Sequence, residues 1–172
     1  MDERRSKEWI GATRMVRPNK WSVLMNVKTS RFGTVEIDAD RIITFKSGLL
    51  GFSNQTRFAL LQPNPEGVFY WLQAVDAPDL AFVVTDPSLF VTGYEVPIRD
   101  DQAAALGLKS LEEAQVLVIV NRYGESLTGN LQGPLVINVQ NRVGEQLVLA
   151  DQRWSTRHRL VDVGQTVHAA SA

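Results

Sequence analysis

Short apolar runs broken by turn residues recur along the chain from about residue 25 onward, and they set its fold class. Runs at 34–37 and 41–45 flank Asp38-Ala39-Asp40, a turn-like triplet. Runs at 57–61, 68–75 and 80–84 follow, separated by Pro63-Asn64-Pro65-Glu66-Gly67 and Asp76-Ala77-Pro78-Asp79. Stretches of β-branched, aromatic and apolar residues bounded by Pro, Gly, Asn and Asp are the sequence form of antiparallel strands. Pro97 has no N–H to give a ladder, which confines 94–98 to an edge or a strand end. Residues 99–106 read as helix, with Asp100 and Asp101 at the positive end of the macrodipole and Gly107 as the stop. A further helical turn is expected at 110–114, where Ser110 and Glu113 match a capping box. The nearly all-apolar 115–121 reads as a buried strand, followed by a polar loop to Pro134. Strands at 135–140 and 146–150 then straddle a hairpin turn, Asn141-Arg142-Val143-Gly144. The pattern predicts a mostly β, small antiparallel barrel-like single domain with one or two short inserted helices. Closing the sheet removes its exposed edges.

The ends differ from this body. Residues 1–24 have no sustained period, isolate Trp9 and Trp21 among polar neighbours, and sum to +3. They read as a flexible extension or a mis-assigned start, with Met25 opening a folded unit at 25–160 and a disordered tail at 161–172. The first residues lack the apolar core of a secretory signal, and no run approaches the roughly 18–20 apolar residues of a membrane span. The chain of 172 residues has no Cys. That excludes disulfides, thiolate metal sites and a cysteine nucleophile, and it favours a reducing cytoplasm. The net charge of −1 hides an acidic centre, because Glu66 to Glu113 holds nine acids against Arg99 and Lys109. Such a domain suits a basic protein partner better than direct contact with nucleic acid phosphates.

Templates for catalysis are missing. There is no Gly-x-Ser-x-Gly, P-loop or Gly-x-Gly-x-x-Gly, and His158 and His168 have no further ligands at a metal-binding spacing. Asp38-Ala39-Asp40 is explained by a turn whose carboxylates bond to backbone. Two loops stand out. Phe45-Lys46-Ser47-Gly48-Leu49-Leu50-Gly51-Phe52 places four large apolar residues on a segment with two glycines. It either plugs one end of the core or forms a partner-binding surface. Thr128-Gly129-Asn130-Leu131-Gln132-Gly133-Pro134 is polar between apolar strands; Asn130 and Gln132 either satisfy local backbone or meet a partner. Arg153, Arg157, His158 and Arg159 around Trp154 read as a solvated terminal segment.

Taken in order, these residues resemble the flagellar assembly factor FliW family. The resemblance is carried by Phe45-x-x-Gly48-Leu49-x-Gly51-Phe52, Phe58-x-Leu60-Leu61, Leu72-Gln73, Phe82-Val83-Val84 and Asn130-Leu131-Gln132-x-Pro134. It continues through Val136-Ile137-Asn138, Asn141-Arg142, Gln146-x-Val148-Leu149 and Thr156-Arg157-His158, and so spans about 25–160. Leu50 stands where the family usually has Pro, Gly129 and Gly133 where it has Ala, and Arg159 where it has Pro.

The resemblance implies a small cytoplasmic β protein without catalytic activity or cofactor, monomeric when free. It implies binding of the RNA-binding regulator CsrA, relief of CsrA repression of flagellin message, and flagellin as the competing partner. Neither direct nucleic-acid binding nor membrane attachment is implied. With the loop and charge patterns, the partner-binding candidates are Phe45, Gly48, Leu49, Leu50, Gly51, Phe52, Asp76, Asp79, Glu95, Asp100, Asp101, Asn130, Leu131 and Gln132. Two rival classes are weighed against this. An RNA-binding barrel needs aromatics interleaved with bases, whereas Phe69-Tyr70-Trp71 adjoins the acidic region. An acid-cluster enzyme would use Asp100 and Asp101, which their helix-start position already explains.

Overall fold

The structure is a computed structural model that describes residues 23–164. The expectations for 1–22 and 165–172 lie outside the described residues. The fold is mostly β, as the pattern predicted, with eleven strands and one short α-helix among the described residues. An antiparallel hairpin, β1 (Leu24–Thr29) and β2 (Gly33–Asp38), stands apart from the main sheet. That sheet contains β3 (Ile43–Phe45), β4 (Arg57–Leu61), β5 (Phe69–Ala74), β6 (Ala81–Thr85) and β7 (Ala114–Tyr123). It is completed by β8 (Ser126–Gly129), β9 (Leu135–Asn138), β10 (Val143–Gln146) and β11 (His158–Asp162). Because β9 pairs with both β10 and β7, the strands β7-β6-β5-β4-β3-β10-β9 close into a ring. Every pairing is antiparallel except β3 with β10, which run parallel. Closure leaves β8 and β11 as an outward wing on β7.

Burial on both faces explains why several strands read as apolar runs rather than alternations. On β4, Phe58 and Leu60 point into the ring core, where they meet Phe45, Leu72, Leu117, Leu135 and Ile137. Their neighbours Ala59 and Leu61 point outward and are covered by Val27 and Ile37 of the hairpin. On β9, Leu135 and Ile137 enter the ring, while Val136 faces an outer core with Leu106, Leu147 and Leu149. The segment 94–108, including α1 (Asp100–Leu106), caps this outer core.

Several boundaries depart from the sequence expectation, each for a local reason. Residues 24–29 form β1, because Met25 and Val27 alternate with the exposed Asn26 and Lys28 in register with β2. The turn expected at 38–40 extends to Arg41 as a 3₁₀ turn at 39–41, so β3 opens only at Ile43; Asp38 accepts from the Asp40 amide and caps the turn. No capping box forms at Ser110. Glu113 Oε2 takes the Lys109 amide at 2.8 Å, and Leu111–Glu113 is a 3₁₀ turn. Residues 94–98 form no strand; Tyr94, Val96 and Ile98 pack onto the outer core. The polar loop before Pro134 contains β8, held by backbone pairing to β7 and β11. Finally, β11 reaches Asp162, so ordered strand crosses the expected boundary at 160.

The last hairpin is shifted. The Asn138 and Asn141 carboxamides accept from the Gln140 and Val143 amides, an Asx-type geometry that places the turn at 139–142. Arg142 there takes φ +61°, an uncommon value for a residue with a Cβ. The strand is therefore Val143–Gln146, not 146–150. Gly144 is required where β10 meets β3, since a Cβ there would lie 2.6 Å from Phe45 Cε1. Gly144→Ala is expected to cost about 1–3 kcal/mol by overpacking, read as a lower denaturant midpoint with unchanged slope.

Candidate functional site

The 48–52 segment divides, residue by residue, into side chains that enter the core and side chains that face solvent. Phe45 is fully buried and packs edge-on against Phe58 with ring centroids 5.6 Å apart. Leu49 is 3% exposed and belongs to the ring core. These two are the plug, and they are not surface contacts. Leu50, by contrast, is 61% exposed, and Phe52 is 37% exposed with one edge on Phe82 at 5.1 Å. The turn is tight: the Gly48 amide donates to the Phe45 carbonyl and the Phe52 amide to the Leu49 carbonyl. Gly48 has φ +67°, and a Cβ there would sit 2.5 Å from the Phe52 carbonyl oxygen, so glycine is demanded. A cleft of about 370 Å³ opens beside the turn, between Leu50, Lys46, the end of α1 at Leu106, and Glu145 and Gln146 of β10.

The 129–134 segment is a bulge within one long hairpin. Val120 lies opposite Gly129, yet Leu117 lies opposite Leu135, so three residues of β7 match six on the returning chain. The excess is pushed outward and pinned. The Asn130 carboxamide oxygen accepts from the Gly133 amide at 2.9 Å, the local role that sequence reasoning weighed for it. Leu131 is fully buried; its amide donates to Ser155 and its carbonyl accepts from the Tyr94 hydroxyl at 2.7 Å. Leu131 is thus a core anchor and not a contact residue. Gln132 is half-buried, and its carbonyl takes the Leu149 amide at 2.8 Å. Burial pushes the Tyr94 phenol well above its ordinary range, consistent with a hydroxyl that only donates.

These segments are joined by Gln146, which sequence reasoning named only as part of the family resemblance and gave no role at the site. Gln146 Oε1 accepts from the Leu50 amide at 2.8 Å, and its Nε2 donates to the Gly133 carbonyl at 3.0 Å. That joining role gives no signal in sequence, because the partners of the half-buried Gln lie 96 and 13 residues away.

The acids are distributed, not massed. Asp76 and Asp79 lie on the β5–β6 turn, beside β4's first residue, Arg57, and the strand that carries Phe82. Asp76 is paired with Arg57 (Nη2–Oδ1 2.8 Å), and Asp79 accepts from the Ser30 hydroxyl. Glu66 precedes the other end of β5, a span of about 20 Å for six extended residues. Asp100 and Asp101 open α1 against a different side of the ring. The Arg99 guanidinium, 3.0 Å away, holds the Asp101 carboxyl below its usual range. Glu95 adds to the negative field on Arg153, whose main partner is Asp151.

The basic residues near the C-terminus sit on and beside β11, and Arg153, Arg157 and Arg159 are exposed, as expected of a solvated segment. Arg153 pairs with Asp151, Arg159 with Asp162, and Arg157 stacks over Tyr123 at 4.4 Å. Nor do the β5 aromatics form an open stacking platform. Tyr70 is buried, Phe69 stacks on Phe90, and Trp71 is covered by Arg31 and Phe32 of the hairpin tip. Among the described residues no cluster of three or more metal-ligating side chains occurs, and no helix is long and apolar enough to cross a membrane.

With this geometry in place, comparison with known proteins is specific. Residues 26–160 match the family described as FliW protein. A flagellar assembly factor FliW of Leptospira interrogans is 36% identical over 141 residues, covering 80% of this chain and 94% of that protein. The Treponema denticola protein of the same name is 39% identical over 139 residues, covering 80% and 94%. A crystal structure of the flagellar assembly factor FliW superposes with a TM-score of 0.73 at 33% identity, covering 80% of this chain and 97% of that one. These relatives define a class, the flagellar assembly factors, built on one mostly β fold. The chain belongs to the FliW family within that class.

Proposed function

We propose that this protein is a non-catalytic flagellar assembly factor of the cytoplasm that binds a CsrA-type translational regulator. In this reading it relieves CsrA repression of flagellin message, and flagellin competes for it. The observation that carries the reading is the exposed turn at Leu50, an apolar side chain held out beside a cleft by a backbone that a buried Leu49 and Gly48 fix in place. Exposed apolar surface on a rigid frame is the form of a protein-binding site. Leu50, Gly51 and Phe52 are the contact residues, with Gln132 of the neighbouring bulge. Gly48, Phe45, Leu49, Asn130 and Leu131 hold the shape beneath them. The family's name supports the flagellar setting, and the paired basic residues and covered aromatics argue against a nucleic-acid surface.

The acids then act through their field. A CsrA-type regulator docked at the turn would have Asp76 and Asp79 close to its basic surface, and repulsion of RNA reaches over about 8 Å at physiological ionic strength. The test replaces Asp76, Asp79, Glu95, Asp100 and Asp101 together by their amides and measures regulator binding and RNA release separately. Release is expected to suffer more than binding, and the difference to shrink as salt rises. Equal loss of both favours direct charge pairing, and no loss of either removes the acids from the mechanism.

A further inference from the structure

One side chain makes a single unit of the turn and the bulge. The Leu50 amide sits at the tip of its turn, where the flanking Gly48 and Phe52 amides have already taken the Phe45 and Leu49 carbonyls. Its acceptor is Gln146 Oε1. On the far side of the same carboxamide, Nε2 donates to the Gly133 carbonyl. An N–H needs an acceptor and a C=O needs a donor, so the two backbone groups together fix the carboxamide's orientation. A carboxylate could serve only Leu50, and an apolar side chain neither. The missing side chain at Gly133 permits the approach, since a Cβ there would lie 3.1 Å from Gln146 Nε2. Gln146 is itself held by β10, opposite Leu135. Leu147 and Leu149 turn into the outer core, which leaves Val148, 69% exposed, on the same side of the chain as Gln146.

We propose that Gln146 is a positioning residue that locks the 48–52 turn and the 130–133 bulge into one preformed recognition surface. The proposal rests on the reading that the turn binds a protein partner. Without the lock, each segment would keep its own anchors but lose its fixed placement relative to the other, and restoring that placement on binding would subtract from affinity.

The test compares Gln146→Leu with Gln146→Glu in the full chain, by amide hydrogen exchange and by titration with purified flagellin. In Gln146→Leu, exchange at the Leu50 amide and across 130–133 is expected to rise on the order of tenfold, while the core strands keep their protection. Flagellin affinity should fall in parallel. Gln146→Glu keeps the acceptor and loses the donor, so Leu50 should stay protected while the bulge loosens, with part of the affinity restored. Unchanged protection at Leu50 in Gln146→Leu, identical behaviour of the two variants, or unchanged flagellin affinity in both would overturn the proposal. If the exchange pattern appears but the unaltered protein binds neither flagellin nor the regulator, the lock stands and the partner reading is what fails.

Discussion

Leu49→Asp is expected to unfold the protein. Sequence alone allowed Leu49 to be an exposed contact whose charge substitution would abolish binding in a folded protein. Its burial in the ring core beside Phe45 and Leu135 makes that outcome untenable. Removing a buried leucine costs about 2–5 kcal/mol in transfer and cavity terms. Placing a carboxyl without a partner in the same site adds further desolvation cost. Together these approach the roughly 5–15 kcal/mol that holds a typical domain folded. Circular dichroism should show no cooperative melt, whereas Leu49→Met should stay within about 1.5 kcal/mol of the parent. A folded, cooperatively melting Leu49→Asp protein would mean that the turn does not plug the ring.

Leu50→Asp should do the opposite. The side chain is mostly solvent-exposed, and the amide that bonds to Gln146 is backbone, so the substitution leaves the clamp and core in place. Stability should change by no more than about 0.5 kcal/mol, as for other surface positions. Partner affinity should fall by about 2 kcal/mol or more, roughly thirtyfold, because a carboxylate would have to be desolvated at the centre of the contact. Isothermal titration with flagellin and with the regulator reads this directly. Unchanged affinity for both would move the contact surface away from the turn.

The contrast between these neighbours marks where sequence reasoning reached its limit. The strand Arg57–Leu61 was legible to the residue, because Phe58, Leu60 and their neighbours Ala59 and Leu61 form an apolar run buried on both faces. The helix was legible too, since Gly107 in the left-handed conformation is a chemical stop signal. The strand β8 was not, because Ser126 and Gly129 carry little β signal and flank only two residues that do. Pairing on both edges and a close approach of Gly129 to Leu160 and Val118 hold it in place. The turn at 139–142 was displaced by Asx hydrogen bonds that several nearby residues could equally have made.

At the site, the segment 48–52 was legible as unusual from its glycines and leucines. Which leucine faces inward depends on how a closed ring meets a loop, a long-range property invisible to local pattern. Gln146 was legible as part of the family resemblance but not as a clamp, because its two bonds exist only once β10 lies between β3 and β9. The acidic stretch was legible as charge but not as geometry. The chain distributes it between separate turns and a helix, with Asp76 and Asp101 already paired to arginines.

If one surface around Leu50 serves two mutually exclusive protein partners, as proposed, a competition titration will show it. Full-length protein saturated with fluorescently labelled CsrA-type regulator is titrated with purified flagellin, and anisotropy reports the bound fraction. Complete displacement of the regulator is expected, with Leu50→Asp binding at least one of the two partners roughly thirtyfold more weakly. A stable ternary complex, or regulator binding that flagellin leaves untouched, would contradict it.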